Sequence, residues 1–167
     1  MNIDWPLMYN VIRRNSVRNT FGMVRLNADG TPRPHQGWDF FANIGTEAYA
    51  IANGKVIFVA KNLGDYGTQL CLGFQFQGVD LYAFYAHLKN IYVCEGQPVV
   101  LGQTICTTGD SGNAKGLPNA DEHLHLEIRT QAYCGKGLTN RLSPIEVFGK
   151  CPLTAAAERR LLMSIAK

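Results

Sequence analysis

"HLHLEIR", residues 123 to 129, is the stretch from which the fold is read. Strict alternation puts His123, His125, Glu127 and Arg129 on one side and Leu124, Leu126 and Ile128 on the other. That is the period of a β-strand, in which side chains i and i+2 share a face. The apolar side anchors the strand to a core, and two imidazoles then stand together on the opposite face. Taken alone, such an H-x-H fits a solvated polar face as well as it fits a site.

Working outward, the same period recurs through the middle of the chain, punctuated by Gly, Asn and Asp. "TQLCLGFQF", 68 to 76, places Leu70, Leu72, Phe74 and Phe76 on one face and Gln69, Cys71, Gly73 and Gln75 on the other, which predicts a half-buried strand. After "QGVD" the run "LYAFYAHL", 81 to 88, completes a hairpin, with His87 expected on the face of Ala83 and Tyr85. Asn53-Gly54, between "EAYAIA" and "KVIFVA", predicts a second hairpin. Helix is expected only over the first dozen residues and over "TAAAERRLLMSIAK" from 154, with Thr154 as N-cap and Ala157, Leu161 and Ile165 on one stripe.

Length and composition agree with one domain over residues 1–167. A chain of 167 residues buries roughly 70% of its unfolded surface. Apolar residues make up 46% and charged residues 17%, which excludes a disordered tail. The net charge of +3 is scattered, with no run denser than Arg13-Arg14 and Arg159-Arg160, so nucleic-acid binding is not expected. No apolar run approaches the ~20 residues of a membrane span, and the N-terminus does not read as a signal peptide. Five cysteines form no C-x-x-C pair, which argues against a zinc ribbon or a redox motif. The odd count leaves at least one thiol without an internal partner.

"RPHQGWDF", 33 to 40, holds another histidine four residues before an aspartate. Pro32, Pro34 and Gly37 make a helix there untenable. A bend at Gly37 lets His35 and Asp39 converge, with the glycine allowing backbone to pass close by. Together with His125 the inventory is two imidazoles and a carboxylate. Three protein ligands plus an open position is the zinc arrangement expected of a hydrolase.

Read jointly, "HQGWD" (35–39), "YAHL" (85–88) and "HLHLE" (123–127) use every histidine in the chain. In this they resemble the lysostaphin-type, LytM-like zinc endopeptidases that cut peptide bridges of bacterial peptidoglycan. "NTFGMVR", "GTEAYAIANGKV", "GQPVVLGQTICTTGDSG" and "LSPIEVFG" extend the resemblance from about residue 15 to 149, with 150–167 as a helical tail. It implies an all-β, mainly antiparallel fold: two packed sheets with a duplicated hybrid motif, an active-site groove and short terminal helices. It further implies that His35, Asp39 and His125 bind one zinc ion per chain, while His87 and His123 face the open position as catalytic groups, with His123 the stronger candidate for the base. Glu127 is expected either in solvent or bonded to a ligand imidazole. The substrate implied is peptidoglycan, met in the periplasm or cell wall by a monomer exported as an antibacterial effector, for which an immunity or delivery protein is a candidate partner.

The link "NAKGLPNADE", 113 to 122, departs from the family pattern by its length and brings Asp121 and Glu122 up to His123; carboxylates near the ring would raise its pKa, but loop acids are expected rather to point to solvent. Three other readings compete: a non-catalytic wall-binding or amidase-activating module, a phosphocarrier using a histidine pair, and a serine peptidase built on "GDSG", 109 to 112. The last lacks its family's histidine context, and a Gly-Asp-Ser-Gly turn needs no chemistry to explain it.

Overall fold

In a computed structural model, which describes residues 2–154, short strands dominate. They are β1 (Gly22–Leu26), β2 (Pro32–His35), β3 (Trp38–Phe41), β4 (Glu47–Tyr49), β5 (Gly54–Leu63) and β6 (Gly67–Phe76), then β7 (Val79–Ala86), β8 (Leu88–Ile91), β9 (Pro98–Val99), β10 (Thr104–Thr108), β11 (His123–Arg129) and β12 (Arg141–Leu142). A seven-stranded sheet runs β12-β11-β7-β6-β5-β9, with β3 paired to β11. A three-stranded sheet, β4-β10-β8, and a ribbon, β1-β2, complete it, and every pairing is antiparallel. The one described α-helix is α1 (Ile145–Phe148). The mainly antiparallel β fold expected from the sequence is the fold observed.

The core lies between the large and small sheets. Leu124, Leu126 and Ile128 of β11 are fully buried there beside Leu70 and Leu72 of β6 and Tyr85 of β7, with Ala48 and Ile105 arriving from the small sheet. Tyr85 spans the layers: its hydroxyl donates to the Tyr49 carbonyl (3.0 Å) and accepts from the Ile51 N–H (3.2 Å). A buried ring of this size needs a partner for its oxygen, and the strap at 49–51 supplies it.

The β6–β7 hairpin forms as expected, closed by Gln77 and Gly78, both at positive φ. That pair of left-handed residues matches the twist of the flanking strands. Strand β6 is not half-buried, however. Gln69 and Cys71 are buried as well, because Cys71, Phe84 and Ala86 form a second small cluster under Phe58, Tyr66 and Ala132 on the other side of the sheet. The hairpin expected at Asn53-Gly54 is absent: β4 pairs with β10 and β5 with β6 and β9. Residues 50–52, all fully buried, instead carry the chain from one sheet to the other. Burial on every side leaves no partner edge for a tight hairpin there. Residues 2–12, where a helix is expected from the sequence, are not helical; short 3-10 turns follow at Arg13–Asn15 and Val17–Asn19. The tail helix expected after Thr154 falls outside the described residues. Among those described, no helix is long and apolar enough to cross a membrane.

Gly37 turns the chain from β2 into β3 against β11. A Cβ at this position would lie 2.1 Å from the Leu126 carbonyl oxygen and 2.8 Å from its carbon, atoms of a paired strand that cannot yield. Gly37→Ala is therefore expected to push β3 off β11. The cost should reach at least the about 1–3 kcal/mol typical of overpacking, read as a lowered urea midpoint, together with weakened metal uptake.

Candidate metal centre

The register of β3 on β11 builds the centre. Asp39 lies directly opposite His125, while Trp38 faces Leu126 and Phe40 faces Leu124. Opposed residues in an antiparallel pair share a face, so the carboxylate and the imidazole meet on the side away from the core. His35 arrives from the ribbon, where its Cα partner is Gly22. Its Nδ1 donates to the Thr20 carbonyl at 2.8 Å, which leaves the Nε2 lone pair turned inward. On His125 the nitrogens exchange roles: Nε2 donates to Glu127 Oε1 at 3.1 Å and Nδ1 faces the cluster.

His35 Nε2, Asp39 Oδ1 and His125 Nδ1 converge with mutual distances of 3.1, 2.8 and 3.3 Å, all three residues buried. Donors about 2.0–2.1 Å from a tetrahedral zinc sit about 3.3 Å apart. The outward N–H of each imidazole is already given away, so once His125 gives up the proton it shares with Asp39, three acceptor lone pairs can point at one spot. Such a set calls for a cation. The mixed nitrogen and oxygen donors suit zinc, and a fourth position faces an open cavity of about 330 Å³.

Two further imidazoles border that cavity without joining the ligand group. His123 Nδ1 donates to the Asp121 carbonyl (2.8 Å), and His87 Nδ1 donates to the Ser111 carbonyl (2.9 Å). Each therefore offers an unprotonated Nε2 to the site, and the two rings lie 5.0 Å apart. Strand alternation would have sent His87 into the core with Ala83 and Tyr85. Its backbone instead leaves β7 in the left-handed region, at φ +60°, and the turn carries the ring to the other face.

Burial lowers the pKa of both groups. For His87 burial comes first, followed by the neighbouring His125 and His123, and the value is pushed down to about 3. For His123 burial again leads and outweighs the upward pull of Asp39 and of the bond to the Asp121 carbonyl. The carboxylates of Asp121 and Glu122 face away: Asp121 pairs with Arg14 at 2.9 Å and Glu122 accepts the Ile44 N–H.

Residues with no local sequence signal complete the site. Asp39 Oδ2 accepts from Arg25 (2.7 Å) and Arg13 (3.1 Å), so its two oxygens do different work. Burial pulls Asp39 upward most strongly of any single influence, but His35, His123 and His125 together take it well below the usual carboxylate range. Glu127, expected in solvent or on a ligand imidazole, is fully buried and takes the second role. Its Oε1 also accepts the Tyr66 hydroxyl (2.5 Å), and its Oε2 accepts Arg129 and Arg141 Nε, both at 2.6 Å. Arg129 stacks 3.5 Å above the Phe84 ring. No motif announces Arg13, Tyr66 or Arg141, since each reaches the site only through long-range folding, whereas Arg25 closes the stretch "NTFGMVR". Ser111 of "GDSG" is structural: its hydroxyl donates to the Leu88 carbonyl and accepts the Thr68 N–H.

This fold and this arrangement define the class of lysostaphin-like and LytM-like peptidases. The chain belongs to Peptidase family M23, whose profile its residues 33–136 match. It is 37% identical over 97 residues to the peptidoglycan DD-endopeptidase ShyB of Vibrio cholerae, covering 57% of this chain and 20% of that protein. It is 30% identical over 119 residues to the murein hydrolase activator NlpD of Salmonella dublin, covering 71% of this chain and 28% of that protein. The chain thus spans less than a third of either relative. The catalytic domain of the antimicrobial peptidase lysostaphin from Staphylococcus simulans superposes with a TM-score of 0.60 at 29% identity, over 78% of this chain and 90% of that one.

Glu127 orients His125 through Nε2 without itself joining the three converging donors, so Glu127→Gln is expected to weaken zinc binding about 10–100-fold, read by competition against a chromogenic chelator. Acid should loosen the metal-free protein. His35, His87 and His123 are depressed by burial, so the stability they contribute is full above about pH 6.5 and is lost as pH falls toward their folded values, about 3 for His87. Asp39 and Glu127, also depressed, act in the same direction at lower pH. His125 is raised, because its bonds to Asp39 and Glu127 outweigh the strong downward pull of burial, and it carries the opposite sign. The urea midpoint of metal-free protein should accordingly be lower at pH 5 than at pH 7.5.

Proposed function

We propose that this chain is a zinc-dependent endopeptidase that hydrolyses an amide bond in the cross-links or stem peptides of bacterial peptidoglycan. The observation that carries the reading is the geometry of five side chains. His35, Asp39 and His125 would hold the ion, and two neutral imidazoles, held apart from them, face the remaining position. Zinc bound there supplies Lewis acidity toward a carbonyl and a water ionisable near neutral pH.

The chain's own groups then have distinct work. His123, neutral and with Nε2 3.7 Å from Asp39 Oδ1, is placed to accept the proton of the attacking water. The imidazolium so formed at His123 can return that proton to the leaving amine, while His87, fixed through Ser111, lines the open side of the site. Arg13 and Arg25 keep Asp39 ionised and aimed, and Glu127 keeps the His125 ring in the tautomer that presents Nδ1. Action outside the cytoplasm, one zinc per chain and a monomeric single domain over 1–167 belong to the same proposal.

Similarity to NlpD favours one second reading, a domain that activates a murein hydrolase without cutting anything itself. The test is digestion of purified peptidoglycan of both the diaminopimelate and the glycine-bridged chemotypes, with soluble products identified by mass spectrometry. The zinc-loaded protein should release peptide fragments, chelation should stop it, and serine-directed inhibitors should leave it unaffected. His123→Ala should lose about 10²–10⁴-fold in rate while keeping its zinc. Zinc-loaded protein that releases nothing from either wall would leave the activator reading in possession.

A further inference from the structure

The rim of the groove is unevenly charged, and the imbalance points to the chemistry of the substrate. Register in the β1–β2 ribbon sets Arg25 directly opposite Arg33. Like charges facing each other across a strand pair destabilise it, so a ribbon serving only to hold His35 would avoid them. Arg25 is balanced by Asp39 at 2.7 Å. Arg33 is exposed, as is Arg18, and among the described residues neither makes an ion pair. The Arg18 carbonyl accepts Arg25 Nε at 2.9 Å, which ties the two segments together.

Arg13, Arg25 and Arg33 line both the metal-site cavity and a second one of about 350 Å³ that also holds Arg18. The one carboxylate lining either cavity is Asp39, and Arg13 and Arg25 already share it. Arg33 at the metal-site cavity and Arg18 at the adjoining one are therefore left without a carboxylate partner. Their fork geometry matches a carboxylate, and the bond formed is charge-assisted.

We propose that Arg18 and Arg33, supported by Arg25, form a carboxylate-reading rim, and that the peptide cleaved carries a free carboxylate beside its scissile amide. This rests on the peptidase reading and sharpens it. Diaminopimelate-type stem peptides, whose cross-links leave carboxylates free, fit the rim. An uncharged oligoglycine bridge does not.

The experiment compares kcat/KM of the zinc-loaded protein on a cross-linked diaminopimelate peptide dimer and on the same dimer with its carboxylates amidated. A pentaglycine peptide is the third arm. A preference of about 10–100-fold for the free acid, the worth of one or two charge-assisted bonds, is expected. It should shrink as salt is raised. In the Arg18→Gln/Arg33→Gln double variant, both positions being exposed, the free-acid-to-amide ratio should fall toward one with zinc content and melting temperature unchanged. Equal cleavage of acid and amide by the wild-type protein, or preference for pentaglycine, overturns the rim and leaves the peptidase reading standing. Cleavage of none of the three overturns both. The wild-type comparison stands even if the double variant fails to fold.

Discussion

Everything in the site hangs on one register: Asp39 opposite His125 across β3 and β11. The side-chain period of a strand is two, so a slip of a single residue would exchange faces. Trp38 and Leu126 would then turn outward and the carboxylate would enter the core. Fully buried Leu124, Leu126 and Ile128 on one side, and Trp38 and Phe40 opposite them, make that slip prohibitively costly. The hydrophobic pattern is thus what holds the donor atoms within 3.3 Å of one another. Gly37 contributes by omission, letting the chain turn against the Leu126 carbonyl where any side chain would collide.

Around that register the two buried carboxylates are built alike. Asp39 gives one oxygen to the imidazoles and the other to Arg13 and Arg25, and Glu127 gives one to His125 and Tyr66 and the other to Arg129 and Arg141. Ion pairs this deep are weak contributors to net stability, because desolvation offsets attraction, although losing a single partner costs about 3–5 kcal/mol. Their use here is orientation: each carboxylate is pinned from both sides, and Glu127 in turn holds the His125 ring. Arg13 Nε and Arg141 NH2 stay buried without hydrogen-bond partners. Crowding four guanidiniums around two acids leaves some donors unmatched.

Much of this could be read from the chain itself, and the gaps have physical causes. Alternation in 123–129 and the 68–88 hairpin are local patterns, and both read true. His87 defied alternation because one left-handed residue reverses the face, and no periodicity records a backbone φ. Residues 47–60 mimicked a hairpin because Asn-Gly turns are strong local signals, while the competing partner, β10, lies some fifty residues on. Strand β6 looked amphipathic because its second cover, near Ala132, comes from the far side of β11 in sequence. Arg13 carries no signature, and Arg25, though it closes "NTFGMVR", is not marked there as a partner of Asp39: an arginine becomes a partner of a buried aspartate only when the fold brings it there.

The division of β11 into a core side and a chemical side has one more consequence. Leu124, Leu126 and Ile128 hold the strand between its neighbours by apolar packing, so the sheet is expected to form without the metal, unlike a small zinc-dependent domain. Loss of a ligand on the outer face would remove chemistry and spare the sheet. A family built on such a strand is free to contain both endopeptidases such as ShyB and activators such as NlpD. In this chain the outer face keeps two imidazoles, a carboxylate and the arginines that aim it.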